Sequence, residues 1–234
     1  MADDAASRIE YCYERGWTDG LPVVPATRAL VDAMLGAGGV APDKVIASMP
    51  SRKVAVTAEK VAINAVMAGC RPEYMPVVLA AVEALATPAF GLHHVASALS
   101  GPTIMVLVNG PIARRLEINA TNNVFGQGAR ANATIGRALR LVLHNCLRYR
   151  TGVSDRATMG TPGKFTCCIA ENEADHPWEP WHVERGFGAS DSQLASHLLY
   201  SRRMPARQPL IEALLGCAEL AGAPRLTIDI RTYS

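Results

Sequence analysis

No apolar stretch in this 234-residue chain reaches the ~18 residues that a membrane-spanning helix needs, so membrane insertion is not expected. The amino terminus, MADDAASRIEYCYERG, is acidic and then amphipathic, which a secretory signal is not, and a cytoplasmic protein is expected. Charge is scarce: 19% of residues are Asp, Glu, Lys or Arg, the net charge is +2, and the arginines are scattered rather than gathered in one run. That balance gives no footprint for nucleic acid. The six cysteines (Cys12, Cys70, Cys146, Cys167, Cys168, Cys217) show no CxxC spacing, which removes a zinc knuckle and a thioredoxin-type pair. Six histidines form neither HxH nor HExxH, so a metal site would need ligands converging from distant segments, and none is expected. The glycine pattern beginning Gly126-Gln127-Gly128 does not complete GxGxxG, and no P-loop is present, so neither nucleotide fingerprint is met.

Apolar residues make up 49% of the chain. So many apolar and so few charged residues imply either an unusually large core or a surface buried against another subunit, and a homo-oligomer is the expectation. Helices are expected over residues 3–15, from a Thr27 cap to about Leu35 with Gly36–Gly39 breaking it, from a Thr57 cap to Gly69, and over 73–86 (PEYMPVVLAAVEAL). The last two have little polar face and should be nearly buried. Strands are expected at 45–49, 54–56, 92–99, 103–108 and 165–170, and at the carboxyl end in RLTIDI. The 103–108 run does not alternate, which predicts a central strand covered on both faces. Residues 129–147 carry Ile135, Leu139, Val142, Leu143 and Cys146 at helical spacing; further helices are expected at 192–200 and 208–221. Strands interleaved with helices, without repeat or linker, predict one α/β (or α+β) domain over 1–234. It would be a mixed sheet with helices packed on it, and a two-lobed arrangement stays open.

The chemistry gathers around Ile104–Cys146. An apolar run ends in Asn109-Gly110, an Asn-rich segment with Asn119, Asn122 and Asn123 follows, and Gly126–Gly128 leads into the long helix. Strand, glycine turn and helix start is an order that points backbone N–H groups at an anion. Arg130 falls in the first helical turn, where the dipole disfavours a cation. A bound anion would explain it, with Asn109, Asn119, Gly128, Arg130, Asn132 and Arg137 as candidate substrate contacts. The plainer alternative is a solvated helix with surface arginines.

Glu171-Asn172-Glu173 leaves the carboxyl end of an apolar strand, where open α/β sheets place their sites. Residues two apart in an extended chain face the same side. Glu171 and Glu173 are therefore candidates for a general acid/base pair or for hard oxygen ligands; alternatively they are exposed carboxylates or arginine partners. Lys60 opens a nearly apolar helix, where a lysine can lose basicity and act as a base, or simply snorkel. Cys70 follows Gly69 and precedes Arg71, which would favour a thiolate while a helix end would oppose it. Cys167 and Cys168 lie side by side in a strand pattern and should point to opposite faces as packing residues. His93 and His94 likewise lie in a strand-like stretch. His182, close to Glu184 and following Trp178 and Trp181, is the histidine expected near a pocket.

Several long blocks, GWTDGLPVVPAT (16–27), TAEKVAINAVMAGCRPEYMPVVLAAVEAL (57–85), NGPIARRLEINA (109–120), GARANATIGRALRLVL (128–143) and AENE followed by PWEPWHVERGFG (170–188), together resemble the large domain of a bacterial (seleno)protein family named for a UGSC motif. Its first motif residue is selenocysteine or cysteine. This chain has no U/C-G-S-C motif, so the resemblance implies kinship, and a thiol or selenol centre supplied, if at all, by a UGSC-bearing partner protein. Three functions follow as expectations. The first is an enzyme acting on a small anionic or carboxylate-bearing metabolite by acid/base chemistry of lyase, hydratase or hydrolase type. Glu171, Glu173, Lys60 and His182 are its candidate catalytic groups. The second is a redox component using Cys70 or the partner; the third is a non-catalytic binding subunit. No cofactor is specified by the sequence.

Overall fold

The computed structural model describes residues 4–99, 101–199 and 226–229. The chain is a mixed α/β protein. Its helices are α1 (Ala5–Glu14), α2 (Arg28–Gly38), α3 (Ala58–Ala68), α4 (Met75–Ala86), α5 (Leu92–Ser97), α6 (Pro111–Arg115), α7 (Arg130–Asn145) and α8 (Trp181–Glu184). Its strands are β1 (Val45–Met49), β2 (Val54–Thr57), β3 (Thr103–Asn109), β4 (Cys168–Ala170), β5 (Gln193–Leu199) and β6 (Leu226–Asp229). β1 and β2 form an antiparallel pair; the other four form a sheet in the order β4-β3-β5-β6. β3 is an interior strand, parallel to β4 and antiparallel to β5. No single helix among the described residues is long and apolar enough to cross a membrane.

α4 is the hub of the core. Ten of its residues are buried, because Val77, Val78, Leu79, Ala80, Ala81 and Val82 leave no polar stripe. Such a helix is stable only where protein surrounds it. α7 supplies Ile135, Ala138, Leu139 and Val142 on one face and packs along α3. Its opposite side holds the loop at 16–25. Arg137 grips Asp19 through two nitrogens and donates to the Leu21 and Pro22 carbonyls, and Asn145 donates to the Trp17 carbonyl. β3 separates two apolar clusters. Val106 and Val108 face the main core, whereas Met105 and Leu107 face a smaller cluster with Cys167, Ile169 and Trp181. The unbroken apolar run is thus covered on both faces, as expected, and Cys167 and Cys168 do fall into opposite clusters.

Four expected elements differ. Residues 92–97 are helix, not strand: Gly91 turns the chain at φ 63°, and Leu92 and Val95, three apart, are the buried pair. Residues 193–199 are strand, not helix. Leu194 and Leu198 have helical spacing, but β3 offers a free edge, and β5 pairs with it over its whole length. Filling a row of buried backbone donors and acceptors outweighs local propensity. The strand at 165–170 shrinks to β4, because Thr166 turns its hydroxyl onto the Asn132 and Ala133 carbonyls of α7. α2 runs through Gly36 and Gly38 and ends at left-handed Gly39. Thr57 precedes α3 as expected but makes no side-chain cap; the Lys44 and Pro42 carbonyls accept the first N–H groups. The helix expected at 208–221 lies outside the described residues.

Candidate functional site

Strand alternation builds the site. Asn109 continues the parity of Met105 and Leu107, and Glu171 continues that of Cys167 and Ile169, so both emerge at the end of the face that carries the smaller apolar cluster. The ladder ends with Val108 opposite Ala170, and the Glu171 N–H donates to the Val108 carbonyl. Asn109 and Glu171 are therefore the next neighbours, and the Asn109 amide donates to the Glu171 carboxylate. Beyond Asn109 the chain turns at Gly110 (φ 82°), where a Cβ would lie 2.1 Å from the Asp191 carbonyl oxygen. Only glycine fits there. Its N–H donates to the Glu173 carboxylate.

Residues 171–192 leave the sheet at Glu171 and return at Gln193, which pairs with Asn109. Inside this excursion, α8 sets the Trp181 N–H 3.0 Å and 3.2 Å from the two Glu171 oxygens. His176 Nε2 approaches Glu171 to 3.2 Å, the distance of an ion pair without the alignment of a hydrogen bond. Arg114 reaches Glu173 at 3.3 Å from a side chain that is 68% exposed. His182 is 1% exposed and turns Nδ1 towards Glu173 at 3.8 Å. Glu171, Glu173 and His182 each place one ligand-type atom within 4.8 Å of the others. Burial pushes the Glu171 carboxyl above its ordinary range. The Trp181 N–H, His176 and the Asn109 amide pull it back, and the neighbouring Glu173 carboxylate pushes it further up.

No protein-family model, curated protein or solved structure matches this chain. The cluster therefore has to be read from its own chemistry. Buried polar atoms in folded proteins nearly all have partners. Here both ring nitrogens of His182 and the Asn109 Oδ1 have no hydrogen-bond partner among the described residues. An imidazole used only to tie the fold together would have its nitrogens bonded.

The structure thus brings together Asn109, Glu171, Glu173 and His182 of the expected set. The others lie elsewhere or act as support. Arg130, exposed, donates twice to the Gly69 carbonyl at the end of α3 (3.1 and 2.8 Å), which explains a cation in the first turn of α7 without an anion. Asn132 exchanges two hydrogen bonds with the Asn119 backbone, and the Asn119 carbonyl accepts the Ala170 N–H. Both asparagines therefore hold the end of β4 from which Glu171 projects. Arg137 is occupied by Asp19. Gly128, at φ 119°, serves the turn before α7. Lys60 is exposed, donates to the Ala55 carbonyl, and lines a separate cleft of about 990 Å³ with Lys53, Cys146 and Arg148. Cys70 is buried and donates to the Thr134 carbonyl; burial pushes its thiol up to about 12, so Arg71 does not make it a thiolate. Sequence reading missed His176 and Arg114. For His176 the available signal was the density of Glu, Asp and His between 171 and 184; Arg114 had none.

Proposed function

We propose that this chain is an enzyme acting on a small anionic or carboxylate-bearing metabolite by acid/base chemistry, of lyase, hydratase or hydrolase type, at the Glu171–Glu173–His182 cluster. One observation carries the reading: two carboxylates and a buried, unbonded imidazole converge where the parallel pair β3 and β4 ends. Open α/β sheets place ligands in that position. Glu171 and His182 are the proton-transfer groups. The Gly110 N–H and Arg114 hold Glu173, and the exposed Arg114 guanidinium offers a cation to a substrate carboxylate. The deep burial of Cys70 supports this reading over a thiol-based redox role. The test is consumption of 2-hydroxy acids, α,β-unsaturated acids and short carboxylic esters, followed by NMR. Glu171→Gln and His182→Gln should each slow the active case by about 10²-fold or more, while Arg130→Ala leaves it unchanged. Unaltered turnover in folded Glu171→Gln protein overturns the assignment.

A further inference from the structure

The same cluster supports a more definite statement about its ligand. We propose that Glu171, Glu173 and His182 bind a divalent first-row transition-metal cation. This rests on the reading that the cluster is the working site and revises the roles within it: with an ion bound, the lone pairs of Glu171 and His182 are engaged as ligands rather than in proton transfer, and the cation would meet the negative charge of a substrate. Three observations carry it. The three ligand-type atoms lie within 4.8 Å of one another, and the His182–Glu173 separation is 3.8 Å. Two atoms each ~2.1 Å from one ion are at most ~4.2 Å apart, so only small rotamer adjustments close the set. His182 is 1% exposed and has no hydrogen-bond partner at either nitrogen among the described residues, while Nδ1 lies 3.8 Å from Glu173. An imidazole nitrogen can offer a lone pair to a cation, and no proton donor among the described residues bonds to either nitrogen here. The Asn109 Oδ1, fully buried in the same cluster, is also without a partner among the described residues.

The donor set selects the cation. Carboxylate oxygens alone suit Mg²⁺ or Ca²⁺, whereas two carboxylates with an imidazole suit Mn²⁺, Fe²⁺ or Zn²⁺. Arg114, which pairs with Glu173, is 68% exposed and can withdraw to solvent as the metal enters.

Mn²⁺ alone is the probe. Chelator-treated full-length chain is titrated with Mn²⁺ and followed by EPR, and pulsed EPR reads the ¹⁴N coupling of a bound imidazole. The expected result is one Mn²⁺ per chain at micromolar free metal, with a ¹⁴N signal that disappears in His182→Gln and persists in His144→Gln. Glu173→Gln should weaken binding at least tenfold. Absence of saturable binding below millimolar Mn²⁺, or a bound ion without ¹⁴N coupling in the unmutated chain, overturns the proposal. The second readout decides the matter even where a variant does not fold. Turnover that survives chelation removes the metal while leaving the acid/base reading intact; stoichiometric metal with no turnover of any carboxylate substrate does the reverse.

Discussion

Gly136 lies in the middle of α7, where alanine should be the better residue by about 0.8–1.0 kcal/mol. The packing reverses that sign. A Cβ at 136 would lie 2.4 Å from Thr166 Oγ1, 2.6 Å from the Cys167 nitrogen and 3.2 Å from the Cys167 carbonyl carbon. Two of these are backbone atoms at the start of β4, so no side chain can move aside. Relief requires α7 to withdraw by roughly 0.8–1.0 Å or Thr166 to release its bonds to the Asn132 and Ala133 carbonyls. Overpacking of this kind costs about 1–3 kcal/mol, and each lost hydrogen bond about 1 kcal/mol. With both hydrogen bonds lost, subtracting the propensity gain leaves Gly136→Ala destabilised by about 2–4 kcal/mol. For a chain of this size, Tm should fall by about 4–16 °C. Gly36 in α2 is the control. It is exposed, and nothing among the described residues lies within 4 Å of its Cβ position, so Gly36→Ala should raise Tm by about 1–4 °C. Thermal unfolding of both variants by circular dichroism is the assay. A Gly136→Ala protein as stable as Gly36→Ala would show that α7 and β4 are not in backbone contact, and the placement of Glu171 would lose its support.

Asp155 is 5% exposed and receives Arg140 at 3.0 Å and Lys164 at 2.7 Å; Asp155→Asn should cost about 2–3 kcal/mol in chemical denaturation near neutral pH. Burial alone would raise its carboxyl, but Lys164 and then Arg140 outweigh that and hold it below the ordinary range. A lowered folded-state pKa stabilises fully above the unfolded value of about 3.9 and less as pH falls through the folded value. The gap between Asp155→Asn and the unmutated chain should therefore be constant from pH 5 to 8 and shrink below about 4; an undiminished gap at pH 3 counts against the ion cluster. Burial pushes the Cys70 and Cys167 thiols up to about 12. Almost none of either is thiolate at pH 7. Labelling mapped by mass spectrometry should find both unmodified until denaturant is added, and fast native labelling of Cys70 would revive a redox role.

What the sequence disclosed is what local pattern controls. The unbroken run at 103–108 can only be an interior strand, and the Ile135, Leu139, Val142 spacing can only be one helix face. The Glu171–Glu173 pair at a strand end was readable for the same reason. β5 was not. Leu194 and Leu198 satisfy a helix, and the free edge of β3 that overrules them is set some ninety positions earlier in the chain. Arg130 was visible as an oddity, but its partner, the Gly69 carbonyl, is 61 residues away, so an anion was the simpler inference. His93 and His94 fall in a six-residue helix that starts after Gly91 and is too short for its apolar spacing to be told from a strand.

The excursion from Glu171 to Ser192 begins and ends beside one residue, since Asn109 adjoins Glu171 on one flank and pairs with Gln193 on the other. Its ends are already brought together by the sheet, so its length and sequence can change with little further loop-closure penalty. The cluster is thus carried on an exchangeable cassette. Substituting residues 172–192 as a block, with Asn109 and Gly110 kept as the clasp and an apolar side chain kept at the place of Trp181 to cover Met105 and Leu107, would alter chemistry while leaving α4, α7 and the paired strands in place.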